Sequence, residues 1–243
     1  MPYDYKRPSG LLIVLTIAAS LLGMRLLYVY LSEPTYFPVN TIKIEASYQH
    51  ISHKEWETVL SAYTGYSFFT FPVSQLKKAL ADLAWAQTVA VKRVWPDIIK
   101  ITLVEKTPVA IMNHALMTKD GLLFNQGNDL SAYELPVLKS PIGQEKEVLQ
   151  VFEKLSKILT CYGLHAMTFT MRENGACKLK LSNGILLRLG KKDFELRVLR
   201  FSKAYPAIQE GQGRMNADQI ESVDLRYPRG MAVQWKNKRE NNG

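Results

Sequence analysis

Histidines are the side chains of this chain best suited to metal binding or proton transfer, and it has four: His50, His53, His114 and His165. Only His50 and His53 are close together, and no third ligand follows them at the spacing of a metal site. The sequence also has no zinc-protease, serine-hydrolase or phosphate-loop motif. We therefore expect no bound metal and no cofactor, with His50 and His53 on a surface loop or helix start.

Two carboxylates, Asp97 and Glu105, flank one predicted strand. A rise of about 3.3 Å per residue places them more than ~20 Å apart, too far for paired acid and base catalysis. The sequence therefore predicts a protein that is not an enzyme. The formal charge is +9, but no block of five like charges occurs, which favours a solvated surface over nucleic-acid binding.

The segment 11–31 contains one charge, Arg25, and as a helix is about 30 Å long, the thickness of a hydrocarbon core. Lys6 and Arg7 precede it, so residues 1–10 are expected in the cytoplasm and the chain after Ser32 outside it. A cleaved signal peptide is the alternative, but no small-x-small cleavage site follows. We expect a single-pass type II inner-membrane protein.

Residues 37–107 predict a βααββ unit. Ile42 and Ile44 alternate with polar residues in its first strand, and Ser52 with Glu55 forms a capping box for the first helix. A second helix is expected over 74–85, followed by two strands joined at Trp95-Pro96-Asp97. We expect Trp95 to pack at the strand end and Pro108 to mark a sheet edge or a domain boundary.

Residues 108–236 predict a mixed β-rich domain with two helices, which makes the chain α+β. A hairpin is expected to turn near 119–121, and Asn183-Gly184 predicts a type I′ turn in a second hairpin. The helices are expected over 145–164 and 193–205, with Pro206 ending the latter. Two closing strands are joined at Pro228-Arg229-Gly230, and 237–243 is expected to be a disordered tail.

The chain has two cysteines, Cys161 and Cys177. Outside the cytoplasm they could pair, but neither their spacing nor a motif demands it, and two free thiols are the preferred interpretation.

Two stretches carry a family resemblance: VWPDIIKITLVEKTPVA at 94–110 and VDLRYPRGMAVQW at 223–235. After a basic N-terminus and one span, they resemble the FtsQ/DivIB family of bacterial cell-division proteins. The resemblance implies that 37–107 is a polypeptide-transport-associated (POTRA) domain, whose structural motif is Trp95, Pro96, Asp97, Glu105 and Pro108. A POTRA-bearing, membrane-anchored chaperone or translocation factor and an anchored cell-wall hydrolase are the alternatives.

The resemblance further implies a periplasmic scaffold at the division septum that binds FtsB and FtsL, links early and late division proteins and helps to control septal peptidoglycan synthesis. Contacts with FtsK, FtsW, FtsI and FtsN are implied as well. The FtsB-binding residues carried over are Arg226, Tyr227, Arg229, Gly230, Met231, Ala232, Val233 and Arg172. Arg172 is one candidate for a second contact, since gap-free matching lands closer to Asn174.

Two alternatives remain open at this surface. Tyr227 either contacts the partner or covers the core, because Val223 and Leu225 share its face. Arg226 and Arg229 either contact the partner or are solvated charges. Trp235 is expected on the core, and we expect FtsB to add a strand along 230–235.

Overall fold

The computed structural model describes residues 10–47, 49–125, 130–210 and 219–236. The chain divides into two compact units between Lys106 and Thr107. Most of the expected cytoplasmic segment 1–10 and the whole of the expected tail 237–243 lie outside the described residues.

The first helix, α1 (Gly10–Ser32), has 23 residues, none of them buried. Its length of about 35 Å exceeds a hydrocarbon core of about 30 Å. Among the described residues it is the one helix long and apolar enough to cross a membrane, a property that a signal sequence shares.

The rest of the first unit comprises β1 (Thr41–Ala46), α2 (His53–Ser61), α3 (Val73–Ala81), β2 (Ala86–Val94) and β3 (Ile98–Glu105). The strand order is β1-β3-β2, with β3 parallel to β1 and antiparallel to β2. This confirms the βααββ arrangement. Both helices contribute buried side chains, Trp56 from α2 and Leu76 and Leu80 from α3.

The predicted capping box at the start of α2 is present: the Ser52 hydroxyl accepts from the Glu55 N–H, and the Glu55 carboxylate accepts from the Ser52 N–H. Just before it, the Glu105 carboxylate is buried and accepts from the N–H groups of His50 (3.1 Å) and Ile51 (3.4 Å). His50 also stacks on Trp85, with ring centroids 3.8 Å apart. His50 is therefore half-buried, which corrects the expectation of a surface position, whereas His53 begins α2 as expected.

The prediction that Trp95 packs at the strand end is wrong, because its side chain is 78% exposed. The β2–β3 ladder ends at the Val94–Ile98 pair, and Trp95 belongs to the turn beyond it, which includes Pro96 and Asp97. The side chain projects past the last paired residues, where the core does not reach it. Pro96 follows a cis peptide bond.

The described residues of the second unit form one nine-stranded sheet and two helices. The strands are β4 (Pro108–Met112), β5 (Ala115–Thr118), β6 (Leu123–Phe124), β7 (Val137–Lys139), β8 (Ala166–Met171), β9 (Cys177–Leu181), β10 (Leu186–Gly190), β11 (Ile220–Asp224) and β12 (Ala232–Trp235). The helices are α4 (Glu145–Thr160) and α5 (Phe194–Glu210), and a 3₁₀ turn covers Leu130–Ala132. The order β12-β11-β10-β9-β8-β7-β4-β5-β6 places Pro108 at the start of an interior strand, directly after the division between the units.

Two turns differ from the sequence predictions. A hairpin does turn at 119–121, between β5 and β6, but β4 and β5 form another at Asn113-His114, both with positive φ as a type I′ turn requires. At Asn183-Gly184 the type I′ prediction is wrong. Only Gly184 has positive φ, and its N–H donates to the Leu181 carbonyl, which is a type I turn followed by a left-handed glycine.

Pro206 does not end α5, which continues to Glu210. Proline removes the hydrogen bond to the carbonyl four residues earlier, a cost of about 3 kcal/mol in a helix interior. Burial of Val198, Phe201 and Tyr205 against the sheet holds the helix through this position.

Both helices cover the same face of the sheet, α4 over β7 and β8 and α5 over β10. The core between them contains Phe152 and Leu155 from α4, Phe201 from α5, and alternate strand residues such as Leu179 and Leu187. The strands that matter for the candidate site are those at the β12 end, because there the sheet stops.

Candidate partner-binding surface

β12 is a terminal strand of the sheet and pairs only with β11 among the described strands. The two are antiparallel, with Asp224 opposite Ala232, Val223 opposite Val233 and Ser222 opposite Gln234. The side chains of Ala232 and Gln234 are exposed, whereas those of Val233 and Trp235 pack against the core cluster, as expected for Trp235.

The direction of the backbone groups of β12 follows from β11. The Leu225 N–H donates to the Arg188 carbonyl on β10, so alternate residues of β11 face β10 and the others, including Asp224, face β12. Ala232, opposite Asp224, therefore bonds inward to β11, and Val233 directs its N–H and C=O groups to the open side. No described strand pairs with these groups, and an edge of this kind can pair with an extended segment.

The connection from β11 to β12 places Tyr227 beside this edge. Leu225 is fully buried, but the Tyr227 side chain is 55% exposed, so it does not cover the core. The alternation of buried and more exposed side chains over 223–225 therefore stops after Leu225, and the Tyr227 ring is exposed to solvent.

Arg200 of α5 holds this connection in place. Its guanidinium donates to the carbonyl oxygens of Pro228 (2.7 Å), Tyr227 (2.9 Å) and Leu225 (3.2 Å). Sequence reasoning missed Arg200, since it precedes the connection by 25 residues or more and matches no motif. Its effect is to fix the backbone on which Tyr227 is displayed.

Arg226 pairs within the chain. Its guanidinium donates to Asp224, with Nη2 2.6 Å from Oδ2 and Nε 2.9 Å from Oδ1. The hydrogen bonds from Arg226 hold the pKa of the Asp224 carboxyl below its ordinary value, and Asp224 in turn raises the pKa of Arg226. Arg226 is therefore neither simply solvated nor wholly available to a partner.

The next residues differ in exposure. Arg229 is exposed, Met231 is half-buried against the core, and Gly230 has no atom within 4 Å of the place that a Cβ would take. Space among the residues that the structure describes therefore does not require glycine at 230. The missing side chain there leaves room for a close approach of another backbone.

Arg172 follows β8, and the structure brings it to the same cavity as Arg226. This cavity of about 220 Å³ is also lined by Lys178 and Arg188, which are directly opposite each other on β9 and β10. Asn174 lies in the adjoining turn, where its side-chain oxygen accepts from the Ala176 N–H at 3.0 Å. The surface next to Arg226 is therefore strongly basic, and the carboxylate of Asp224 pairs with Arg226 there.

The described residues contain no group of three or more His, Cys, Asp or Glu side chains placed to hold a metal ion. Both cysteines are free; Cys161 is exposed and Cys177 buried. Burial, with a smaller effect of the Glu147 charge, raises the pKa of the Cys177 thiol to about 12. A thiol of this kind is a packing group.

Two family profiles match the chain. Residues 37–106 match the family described as POTRA domain, FtsQ-type, and residues 110–226 match that described as cell division protein FtsQ/DivIB, C-terminal. The second match stops at Arg226, just before Tyr227 and β12.

Several cell division proteins named FtsQ are similar over most of their length. That of Coxiella burnetii is 32% identical over 208 residues, covering 85% of this chain and 84% of that protein. The FtsQ of Hahella chejuensis is 32% identical, and the match covers 82% of this chain and 70% of that protein. That of Aliivibrio fischeri is 28% identical over 241 residues, covering 96% and 92%.

Proposed function

The chain belongs to the FtsQ/DivIB family of cell division proteins, and we propose that it is a membrane-anchored scaffold of the divisome that binds FtsB along β12. The observation that carries the proposal is the open edge of β12 beside an exposed Tyr227, whose backbone Arg200 holds in place. An edge with free N–H and C=O groups is the surface to which an extended partner adds a strand.

FtsB would add its strand next to Val233, whose backbone groups face the open side. Tyr227 is the anchor at one end of that strand, packing on an apolar partner side chain, and Gly230 allows the partner backbone to come close. Arg172 and Arg226, at the basic cavity, contact acidic side chains of the same partner. Met231 and Ala232 complete the contact, and Arg229 adds a charge at its rim.

The anchor is α1, which crosses the inner membrane once with its N-terminus in the cytoplasm and both folded units in the periplasm at the septum. Its length and exposure support this, as do Lys6 and Arg7 before it. FtsL joins FtsB on the second unit, while the POTRA unit recruits the protein. FtsK, FtsW, FtsI and FtsN are the further divisome partners, and the scaffold thereby links early and late proteins and helps to control septal peptidoglycan synthesis.

Proline substitutions on β12 test the edge directly. In Val233→Pro the lost N–H faces the open side, so the protein should stay folded and lose binding of an FtsB peptide. In the matched control Ala232→Pro the lost N–H bonds to β11, so thermal stability should fall. The purified full chain is unfolded thermally and then titrated with the peptide.

The proposal is wrong if Val233→Pro and Tyr227→Ala both remain folded and bind the FtsB peptide with the affinity of the parent protein. FtsB would then bind elsewhere on the second unit.

A further inference from the structure

Exposed apolar side chains of the first unit gather at one end. Outside α1, its described residues have six large apolar side chains that are exposed: Tyr36, Tyr66, Phe69, Val94, Trp95 and Val104. The contacts set out below place all of these except Val104 at the end where α1 joins the domain. Singly scattered apolar residues need no explanation, but a cluster on one end does.

The loop that carries Tyr66 and Phe69 is bonded to the end of α1. Between them, Ser67 donates from its hydroxyl to the carbonyl of Leu31 at 2.6 Å, one residue before α1 ends. The N–H of Phe68 donates to the Phe37 carbonyl at 2.9 Å. The loop 65–71 therefore lies at the same level as the last turn of α1.

The turn that carries Trp95 is bonded to the same region. Arg93 donates from Nη2 to the Phe71 carbonyl at 2.6 Å, which joins the end of β2 to the loop 65–71. Beyond the turn, Asp97 accepts from the side chain of Asn40 at 2.8 Å. Trp95 lies between these two attachments.

Aromatic rings continue from the helix into the domain. Tyr30 in the last turn of α1 contacts Tyr36 and Phe37, with ring centroids 5.0 and 5.6 Å apart. Phe37 contacts Phe69 edge to face at 4.9 Å. Two of the exposed rings, Tyr36 and Phe69, are thus the outer part of a continuous aromatic cluster that begins on α1.

Charge is also sparse at this end of the unit, where Glu33 directly follows α1 and accepts from the Thr35 hydroxyl. Residues 34–42 and 58–76 contain no Asp, Glu, Lys or Arg, although 22% of the chain is charged. The two charged groups next to the turn, Arg93 and Asp97, already bond to Phe71 and Asn40. Uncharged aromatic surface is costly in water, whereas tyrosine and tryptophan are enriched at membrane–water interfaces.

We propose that Tyr36, Tyr66, Phe69 and Trp95, here called the aromatic platform, lie in the lipid headgroup layer of the membrane that α1 spans. The inference rests on the membrane anchor proposed above. A helix of about 35 Å across a core of about 30 Å places its last turn in that layer, and the platform is bonded to this turn. The POTRA unit thereby stands on the membrane in one orientation instead of turning freely on its anchor.

The test uses the full chain with Cys161→Ser, reconstituted in phosphatidylethanolamine–phosphatidylglycerol vesicles. Cys177 is only 2% exposed, so we expect no reaction with a thiol reagent in the folded protein. An environment-sensitive NBD dye is attached after Trp95→Cys or Phe69→Cys, and after Val104→Cys as the exposed control on the same unit. A fourth variant, Leu21→Cys, reports insertion of α1.

We expect the dye at positions 69 and 95 to emit at shorter wavelength and to lose intensity with lipid spin-labelled near the headgroup, while the dye at 104 does neither. The inference is overturned if 69 and 95 behave like 104 while the dye at 21 is quenched by a label deep in the acyl chains. If the dye at 21 is not quenched either, the anchor itself is wrong, and this inference with it. Because the vesicles contain no other protein, quenching identifies lipid and not a partner protein as the occupant.

Discussion

The guanidinium of Arg200 holds the backbone carbonyl of Tyr227 at 2.9 Å, while the side chain of Tyr227 remains 55% exposed. The connection before β12 is therefore ordered from inside by a residue that no partner needs to touch. An exposed ring on a fixed backbone binds at a lower entropic cost than a ring on a mobile loop.

Arg200→Ala should weaken FtsB binding without removing any residue of the binding surface. It deletes bonds to three carbonyl oxygens. Hydrogen bonds to a charged group contribute about 1.5–3 kcal/mol each, so we also expect a measurable loss of unfolding free energy. Lys203→Ala, exposed on the same helix, is the control. Equal peptide affinity for both variants would contradict the role given to Arg200.

Tyr227→Ala should separate binding from folding. Its exposed ring contributes little to the core, so the free energy of unfolding should change by no more than about 0.5 kcal/mol. Binding of the FtsB peptide should weaken by about 2 kcal/mol or more, as for an aromatic anchor. By contrast, Leu225→Ala should lower the free energy of unfolding by about 2–5 kcal/mol, because Leu225 is fully buried. Denaturant unfolding and calorimetric titration measure the two effects.

Two of the three tryptophans of the POTRA unit, Trp85 and Trp95, should also differ sharply. Trp85 is 2% exposed and Trp95 is 78% exposed. Trp85→Ala should cost about 3–5 kcal/mol of unfolding free energy in detergent, as for large buried aromatics. Trp95→Ala should change it by less than about 0.5 kcal/mol. A large loss for Trp95→Ala would mean that its ring packs in the core after all.

Alkaline pH should destabilise the second unit through Cys177. Its folded pKa of about 12 lies above the ordinary value of 9.0, so the stabilisation is fully present below pH 9 and is lost as the pH rises toward 12. The loss is at most about 1.4 kcal/mol per pH unit. Unfolding free energies at pH 8 and pH 11 should therefore differ less in Cys177→Ala than in the parent protein. An equal difference in both would exclude this thiol as the cause.

Regular patterns in the sequence predicted most of the fold. Apolar alternation located β1 and β3, and Ser52 with Glu55 located the start of α2, because these signals act between neighbours in the chain. The errors at Trp95 and Pro206 have the opposite origin. Trp95 is exposed because the β2–β3 ladder ends before it. The helix α5 continues through Pro206 because its side chains are buried against strands that are distant in the sequence.

The candidate site was predictable in part for the same reason. A partner strand along 230–235 was expected from the sequence, and a contact at Tyr227 was implied by the family resemblance, but whether that ring covers the core was left open. The bonds from Arg200 and the shared cavity of Arg172 and Arg226 arise only when α5 and β8 meet the end of the chain. No periodicity in the sequence records such contacts.

Glu105→Ala should damage the first unit and leave the second intact. The buried carboxylate accepts from the N–H groups of His50 and Ile51. Its removal takes away the partner of buried donors, at a cost of about 1–3 kcal/mol. Glu105→Gln keeps one acceptor oxygen and should cost less.

Glu105→Ala should affect only the function of the first unit, because the two units have separate cores on either side of Lys106. Glu105→Ala should reduce septal localisation of a fluorescent fusion, since we propose that the POTRA unit recruits the protein. Binding of the FtsB peptide to the purified full chain should be unchanged, since β12 and Tyr227 belong to the second unit. Loss of peptide binding in Glu105→Ala, with hydrogen exchange showing the second unit still folded, would mean that the two units do not divide recruitment and FtsB binding between them.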